Sequence, residues 1–133
     1  MSNHDNIRDV SRFGSSEHLA GDDRALAKVL LAALLTIRGG ACVYQGEELG
    51  LTEAEIDFSD LQDPFGIVDQ QEKDPDSVLH MFRRLVAWRK GQPALIRGAI
   101  RLLPSDGTIL AFERSLDRDC ILCFFNFSNH EVR

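Results

Sequence analysis

A histidine and a carboxylate stand side by side near the start of the chain, in Asn3-His4-Asp5, and acids gather again at Glu47, Glu48, Asp60 and Asp63. Paired carboxylates serve general acid–base and nucleophilic chemistry when their environments and separation are set across a reacting bond. Adjacent carboxylates in a loop are ordinarily solvated or structural. A tripeptide such as Asn3-His4-Asp5, taken alone, reads as a solvated stretch of chain. Cys120 and Cys123 share the C-x-x-C spacing of redox and zinc sites, but Ile121, Leu122, Phe124 and Phe125 surround them with strand-type residues. On a strand, positions three apart point to opposite faces, so the thiols diverge and read as strand cysteines. Cys42 makes the cysteine count odd, without a framework of paired spacings, which suits a reducing compartment. His4, His18, His80 and His130 are scattered and add no metal-ligand spacing.

The elements that must position these residues are legible. From Asp22 to Arg38, Leu26, Val29, Leu30, Ala33, Leu34 and Ile37 recur at helical spacing. Acids stand at the start, Arg38 in the last turn and Gly39-Gly40 just beyond, which predicts a helix with both end signals. Ala41-Cys42-Val43-Tyr44 is the short apolar run of a parallel strand buried on both faces, making an α/β unit with that helix. Gln45 to Asp63 reads as a loop with a helical turn near Glu53 to Ile56, in the kind of place where barrel enzymes keep function. A second helix is predicted from Pro75 to Lys90, with Asp74 as N-cap and Pro75 at the first helical position. Val78, Leu79, Phe82, Leu85, Val86 and Trp88 form its apolar face. Arg83, Arg84, Arg89 and Lys90 read as a solvated, dipole-favoured helix end that Gly91 and Pro93 close. From Gly98 the pattern changes to three short strands, Ile100–Leu103, Ile109–Arg114 and Cys120–Phe127. Turn residues separate them, which predicts an antiparallel meander and a boundary near Arg97.

Order and company give Asn3-His4-Asp5 its meaning. It is followed by Ser11-Arg12-Phe13-Gly14, the first predicted helix and Tyr44-Gln45-Gly46-Glu47-Glu48-Leu49-Gly50. Leu61 to Gly66, Pro75 to Val78 and Ala111-Phe112-Glu113-Arg114 come after. This succession resembles the last third of an α-glucosidase or oligo-1,6-glucosidase of the α-amylase superfamily (glycoside hydrolase family thirteen). The resemblance implies an α/β fold: the last βα units of a (β/α)₈ barrel, residues 1–97, then the beginning of an antiparallel C-terminal β-domain, residues 98–133. It implies retaining hydrolysis of terminal α-linked glucose in short oligosaccharides or sucrose-like substrates, with an aspartate nucleophile and a glutamate acid/base about 5 to 5.5 Å apart. A third carboxylate holds the sugar hydroxyls at C2 and C3 and tightens as the oxocarbenium-like transition state forms. By resemblance that residue is Asp5; His4 donates a hydrogen bond to the same ring, and Arg8 is a site-lining charge.

Two departures shape the expectation for this chain. The resemblance puts nucleophile and acid/base upstream of position 1. After Ile67 the family runs through an Arg-Thr-Pro-Met-Gln-Trp region that supplies a pocket arginine, whereas here Val68 to Asp74 leads directly to the second long helix. The chain is therefore expected to be a truncated piece with an internal deletion, inactive by itself. The alternative is a noncatalytic remnant that binds sugar weakly or serves as a protein-interaction module. No cofactor is needed for this chemistry, and the metal sites some relatives carry lie outside the segment.

At 133 residues and 44% hydrophobic composition the chain can form one core, but a complete barrel needs about 250 residues. A formal charge of -6 leaves nothing to neutralise phosphates or grip an anionic membrane, so nucleic acid is not an expected partner. No apolar run approaches a membrane span and the N-terminus lacks signal-peptide character, so a cytoplasmic location is expected. Two βα units cannot close a barrel, and self-association through exposed apolar surface is expected.

Overall fold

A computed structural model of the chain describes residues 2–3, 5–14, 23–53 and 65–132. In chain order the elements are helices α1 (Asp9–Gly14) and α2 (Asp23–Thr36), a 3₁₀ turn Glu47–Leu49, helices α3 (Phe65–Lys73), α4 (Val78–Lys90) and α5 (Pro93–Arg97), and strands β1 (Ala99–Leu102), β2 (Ile109–Leu116) and β3 (Asp119–Asn126). A helical half thus precedes one three-stranded sheet.

The helical half is organised around α2, which is apolar on more than one side. Its stripe Leu26, Ala27, Leu31 and Leu35 is buried, while Leu30 and Leu34 are half-buried and Ile37 beyond its end is exposed. Val10 of α1 and Val78 at the start of α4 complete one buried cluster with Leu26, Ala27 and Leu31, flanked by Leu30, Val43, Met81 and Phe82. Burial of this kind contributes about 25 cal/mol per Å² of apolar surface and outweighs helix propensity in fixing where α2 lies.

The sheet order is β1-β2-β3, antiparallel throughout, with Leu102 opposite Phe112 and Phe112 opposite Cys123. Leu116 and Asp119 close a tight β2–β3 turn in which Asp117 takes φ 53°, a left-handed conformation that aspartate tolerates. The alternation that separates the two thiols is realised: Cys120 is exposed and Cys123 buried. Burial pushes the Cys123 thiol up, opposed by a hydrogen bond with Thr36 and by the Arg114 guanidinium. Leu35, Ala94, Leu95, Phe112 and Cys123 are buried where α2 and α5 meet β2 and β3, and the Phe112 and Phe125 rings lie 5.8 Å apart.

Four local readings change. Ala41–Tyr44 is not a strand: a strand exists only within a hydrogen-bonded ladder, and no described strand lies beside it. The second long helix starts three residues later than its proline suggests. Ser77 is the N-cap, accepting from the His80 N–H at 3.2 Å, while Asp74 closes a preceding turn by accepting the Asp76 N–H at 2.9 Å. Pro93 opens α5 instead of only ending α4. Helix α3 escapes a reading by period because tertiary contacts hold it. Gln71 Nε2 donates to the Leu49 carbonyl at 2.7 Å, and its Oε1 accepts the Leu79 N–H at 3.0 Å. The helical turn expected near Glu53 to Ile56 lies largely outside the described residues.

Surface ion pairs tie α3 and the turn before α4 to their neighbours. Arg83 donates two hydrogen bonds to Glu72, at 2.9 and 2.6 Å; Arg24 pairs with Asp74, and Lys28 with Asp76 at 3.0 Å. The Arg83 hydrogen bonds hold the Glu72 carboxyl low. The Asp76 N–H and then Arg24 do the same for Asp74, and Lys28 for Asp76. A depressed folded-state pKa contributes stability that is fully present above the unfolded value and is lost as pH falls through the folded one. Urea midpoints are therefore expected to hold near neutrality and to fall as pH drops below about 4, by less in high salt. Midpoints followed by circular dichroism across pH at two ionic strengths check this.

Candidate functional site

The Asn3 side chain gathers the first segment into a turn. Its Oδ1 accepts the Asp5 N–H at 2.9 Å and Asn6 Nδ2 at 2.8 Å, and the Asn6 N–H donates to the Asn3 carbonyl at 3.2 Å. Asparagine does this readily because its short amide reaches backbone two residues on. Asp5 is exposed on this turn. His4 lies outside the described residues. The chain then enters α1, where Ser2 Oγ accepts the Asp9 N–H at 2.8 Å. Ser11 to Gly14 forms the body of α1.

The second segment, Tyr44 to Gly50, is folded by its own acids. Glu47 Oε2 accepts the Tyr44 N–H and Glu48 Oε2 the Gly46 N–H, both at 2.8 Å. These carboxylates satisfy backbone donors of their own loop, which is structural work; Asp60 and Asp63 lie outside the described residues. Gly46 has φ 92°, and a Cβ there would stand 2.7 Å from Leu51 Cδ1, so the turn requires glycine.

Arg8 joins the two segments across the fold. Its Nη1 donates to the Gln45 carbonyl at 2.7 Å and its Cζ lies 5.4 Å from the Tyr44 ring centroid. The Arg8 N–H donates to Glu53 Oε2 at 3.0 Å, and the Glu53 N–H donates back to Ser11 Oγ at 2.6 Å. The two motifs that carry the resemblance are thus one structural unit. Sequence reading singled out Asp5, His4 and Arg8 as site residues, quoted Ser11 and Gln45 only as motif positions and gave Glu53 no part in the site, because their contacts come from backbone groups and long-range pairs that no spacing records. Beneath the unit, a cavity of about 30 Å³ lined by Asp9, Val10, Ala27, Leu31, Glu47 and Leu51 has space for about one water. Among the described residues no group of three or more His, Cys, Asp or Glu could hold a metal, and no helix is long and apolar enough to cross a membrane.

The arginine cluster of α4 is exposed at Arg83, Arg84 and Lys90, as a solvated helix end is, and departs from that reading at half-buried Arg89. Arg89 donates to the Leu35 and Gly39 carbonyls, capping α2 from a neighbouring helix; Arg83 is paired with Glu72, and Arg84 donates to the Pro75 carbonyl at 3.0 Å. A carbonyl-rich helix end attracts cations wherever in the sequence they originate.

Comparison with known proteins follows the same division. The family described as "Alpha amylase, catalytic domain" matches residues 1–94, and the sheet from Ala99 onward lies beyond that match. A probable alpha-glucosidase of Rhizobium meliloti is 37% identical, covering 97% of this chain and 31% of that protein. The alignment runs over 172 residues while 97% of 133 is about 129, so about 43 of its positions have no counterpart here. A probable oligo-1,6-glucosidase 2 of Bacillus subtilis is 26% identical over 98% of this chain and 34% of its own length. The crystal structure of the alpha-glucosyl transfer enzyme XgtA superposes with TM-score 0.81 at 34% identity, covering 96% of this chain and 31% of that one. The chain spans about a third of the length of these relatives, and over that span its α/β helical part and following antiparallel sheet share their fold. With the family match extending over 94 of the 133 residues, the chain belongs to the alpha-amylase family.

Proposed function

We propose that these residues are the closing part of a retaining α-glucosidase that releases terminal α-linked glucose from short oligosaccharides or sucrose-like substrates. Residues 1–97 belong to its catalytic barrel and residues 98–133 to its C-terminal β-domain. Asp5 is the carboxylate that grips the sugar hydroxyls and strengthens its hold as positive charge develops on the ring, which is where binding accelerates a reaction. His4 donates to the same ring, and Arg8 borders the site. Carrying this reading is the joining of the Asp5 turn to the Tyr44–Gly50 loop through Arg8.

Within these 133 residues that is one carboxylate of three. Glu47 and Glu48 are engaged by their own loop and cannot replace a pair set about 5 to 5.5 Å apart across a glycosidic bond. The chain by itself is a weak sugar binder without turnover, located in the cytoplasm. Exposed apolar surface favours self-association: Leu102 (70% exposed), Phe124 (62%) and Leu122 (57%) on the sheet, and a cleft of about 680 Å³ lined by Ala41, Val43, Phe82, Val86 and Ile96.

The test is a titration of the isotopically labelled chain with 1-deoxynojirimycin, a cationic glucose mimic, followed by amide chemical shifts. Shifts are expected at residues 3–6 and 44–48, and Asp5→Asn should abolish them. Equal responses in the native chain and in Asp5→Asn would contradict the role given to Asp5.

A further inference from the structure

We propose that the open edge of β3 is a self-association surface: two copies of this chain pair β3 with β3, antiparallel, with Leu122 of one copy opposite Phe124 of the other. The proposal names where exposed apolar surface is used and is independent of the role given to Asp5.

Strand β3 ends the sheet order, and among the described residues no strand lies beyond it. Its register with β2 fixes which backbone groups face the open edge. The Phe127 N–H donates to the Thr108 carbonyl at 2.8 Å, in line with Ile109 opposite Asn126. Hydrogen-bonded and non-hydrogen-bonded positions alternate along an antiparallel pair. Odd-numbered residues of β3 therefore turn their N–H and C=O to β2, while Cys120, Leu122 and Phe124 turn theirs outward. The same three residues are exposed on the sheet face away from the helices, with Cys123 between them buried on the other. A row of open donors and acceptors at every second residue, beside an apolar stripe, is complementary to another extended strand.

Folded chains ordinarily guard such an edge with lysine, proline or a very short strand. The opposite edge, β1, has four residues and carries Arg101, paired with Glu113 at 2.6 Å. Strand β3 has eight, and no Lys, Arg, Asp, Glu or Pro stands between Asp119 and Glu131. Its edge fits a second copy of itself because an antiparallel strand pair is two-fold symmetric. Pairing about Cys123 sets Leu122 and Phe124 of one copy opposite Phe124 and Leu122 of the other. That makes two aromatic–aliphatic pairs on the outer face and sets no two like charges opposite each other. The cleft lined by Val43, Phe82 and Val86 lacks this property, since two copies of one concavity cannot fill each other. A strand edge is smaller than the about 1,200–2,000 Å² of a stable interface, so a Kd of about 10–100 µM is expected.

Sedimentation equilibrium of the full chain in reducing buffer, from about 1 µM to about 1 mM, read beside amide hydrogen exchange at both ends of that range, tests the pairing. A closed dimer is expected. At the high concentration the Leu122 and Phe124 amides should exchange at least about threefold more slowly than at the low one, while the Leu102 amide on the other edge keeps its rate. Phe124→Lys, which sets a charge in the paired face, should weaken association at least about tenfold, whereas Leu102→Lys on β1 and Ile96→Lys at the cleft should leave it within about twofold. Circular dichroism checks that each variant is folded; should Phe124→Lys fail to fold, the exchange pattern of the native chain decides. A monomer at every concentration, growth beyond a dimer, or a dimer weakened by Ile96→Lys and not by Phe124→Lys would overturn the proposal. So would a dimer whose Leu122 and Phe124 amides exchange as fast as those of the dilute chain.

Discussion

Replacing Arg114 with alanine is expected to cost about 3–5 kcal/mol, a large share of the roughly 5–15 kcal/mol that holds a domain folded. Arg114 is fully buried on β2. Its Nη1 donates to the Thr36 carbonyl at the end of α2 at 2.6 Å, its Nη2 to Gly98 at 3.0 Å and its Nε to Ala99 at 3.2 Å. Burial, then the neighbouring Arg89 and Arg38 guanidiniums, press its pKa down, yet an arginine starts so high that it stays charged. What makes a buried cation tolerable is three carbonyls, one of them at the negative end of a helix dipole. Alanine would take a buried donor from the Thr36 and Gly98 carbonyls and leave a cavity in place of a fully buried side chain. Lysine offers a single ammonium in place of a fork and should lose about 2–3 kcal/mol. Urea unfolding of the native chain and both variants measures this. A loss below about 1 kcal/mol for alanine would show that the helices and the sheet are not joined through this side chain.

The second large effect sits at the same joint. Gly98 links α5 to β1; its N–H donates to the Ala94 carbonyl at 3.0 Å while its own carbonyl receives Arg114. A Cβ there would stand 2.2 Å from the Ala94 oxygen and 2.7 Å from the Ser115 oxygen. Both are backbone atoms that cannot swing aside, so the joint must open. Gly98→Ala is expected to destabilise by at least about 3 kcal/mol, at the upper end of overpacking costs, and to lower the thermal midpoint by more than about 10 °C for a chain of this size. Gly107→Ala is the control, since nothing lies within 4 Å of a Cβ there. Equal midpoints for the two variants would mean that the α5–β1 packing is looser than described.

This joint was only half visible in the sequence. The change from helical to alternating period near Gly98 marks where the sheet begins, and Ala111 to Arg114 stands out as part of the family's succession of motifs. That Arg114 reaches back 78 positions to Thr36 has no local signature. Its neighbours Ala111 and Phe112 look like ordinary strand, and a buried arginine is the last thing a strand pattern suggests. The same limit explains Arg89. A cation in the last turn of α4 looks dipole-favoured on its own helix, and the sequence cannot show that the carbonyls it satisfies belong to the last turn of α2 and to Gly39 just beyond it.

Helices α2 and α4 were legible because their apolar residues recur with the helical period over three turns or more. Helices α1, α3 and α5, of 6, 9 and 5 residues, were not, because elements so short are held by neighbours more than by their own period. Ala41–Tyr44 shows the opposite failure. Its composition is that of a buried parallel strand, but β structure depends on a partner, and composition reports only suitability for one. At the site, motif order pointed to Asp5 and to the Tyr44–Gly50 loop separately. Their union through Arg8, Glu53 and Ser11 is a tertiary fact, and it turns two motifs into one structural unit.

The central claim is that these residues hold the sugar-gripping carboxylate of an α-glucosidase and not the pair that breaks the bond. Hydrolysis of a chromogenic α-glucoside by the purified 133-residue chain, with Asp5→Asn prepared identically and both checked for native circular dichroism, tests it most directly. The account predicts no turnover by the folded native chain above that of the variant. Turnover that is present in the native chain and vanishes in Asp5→Asn would contradict it and place a working carboxylate pair within these residues.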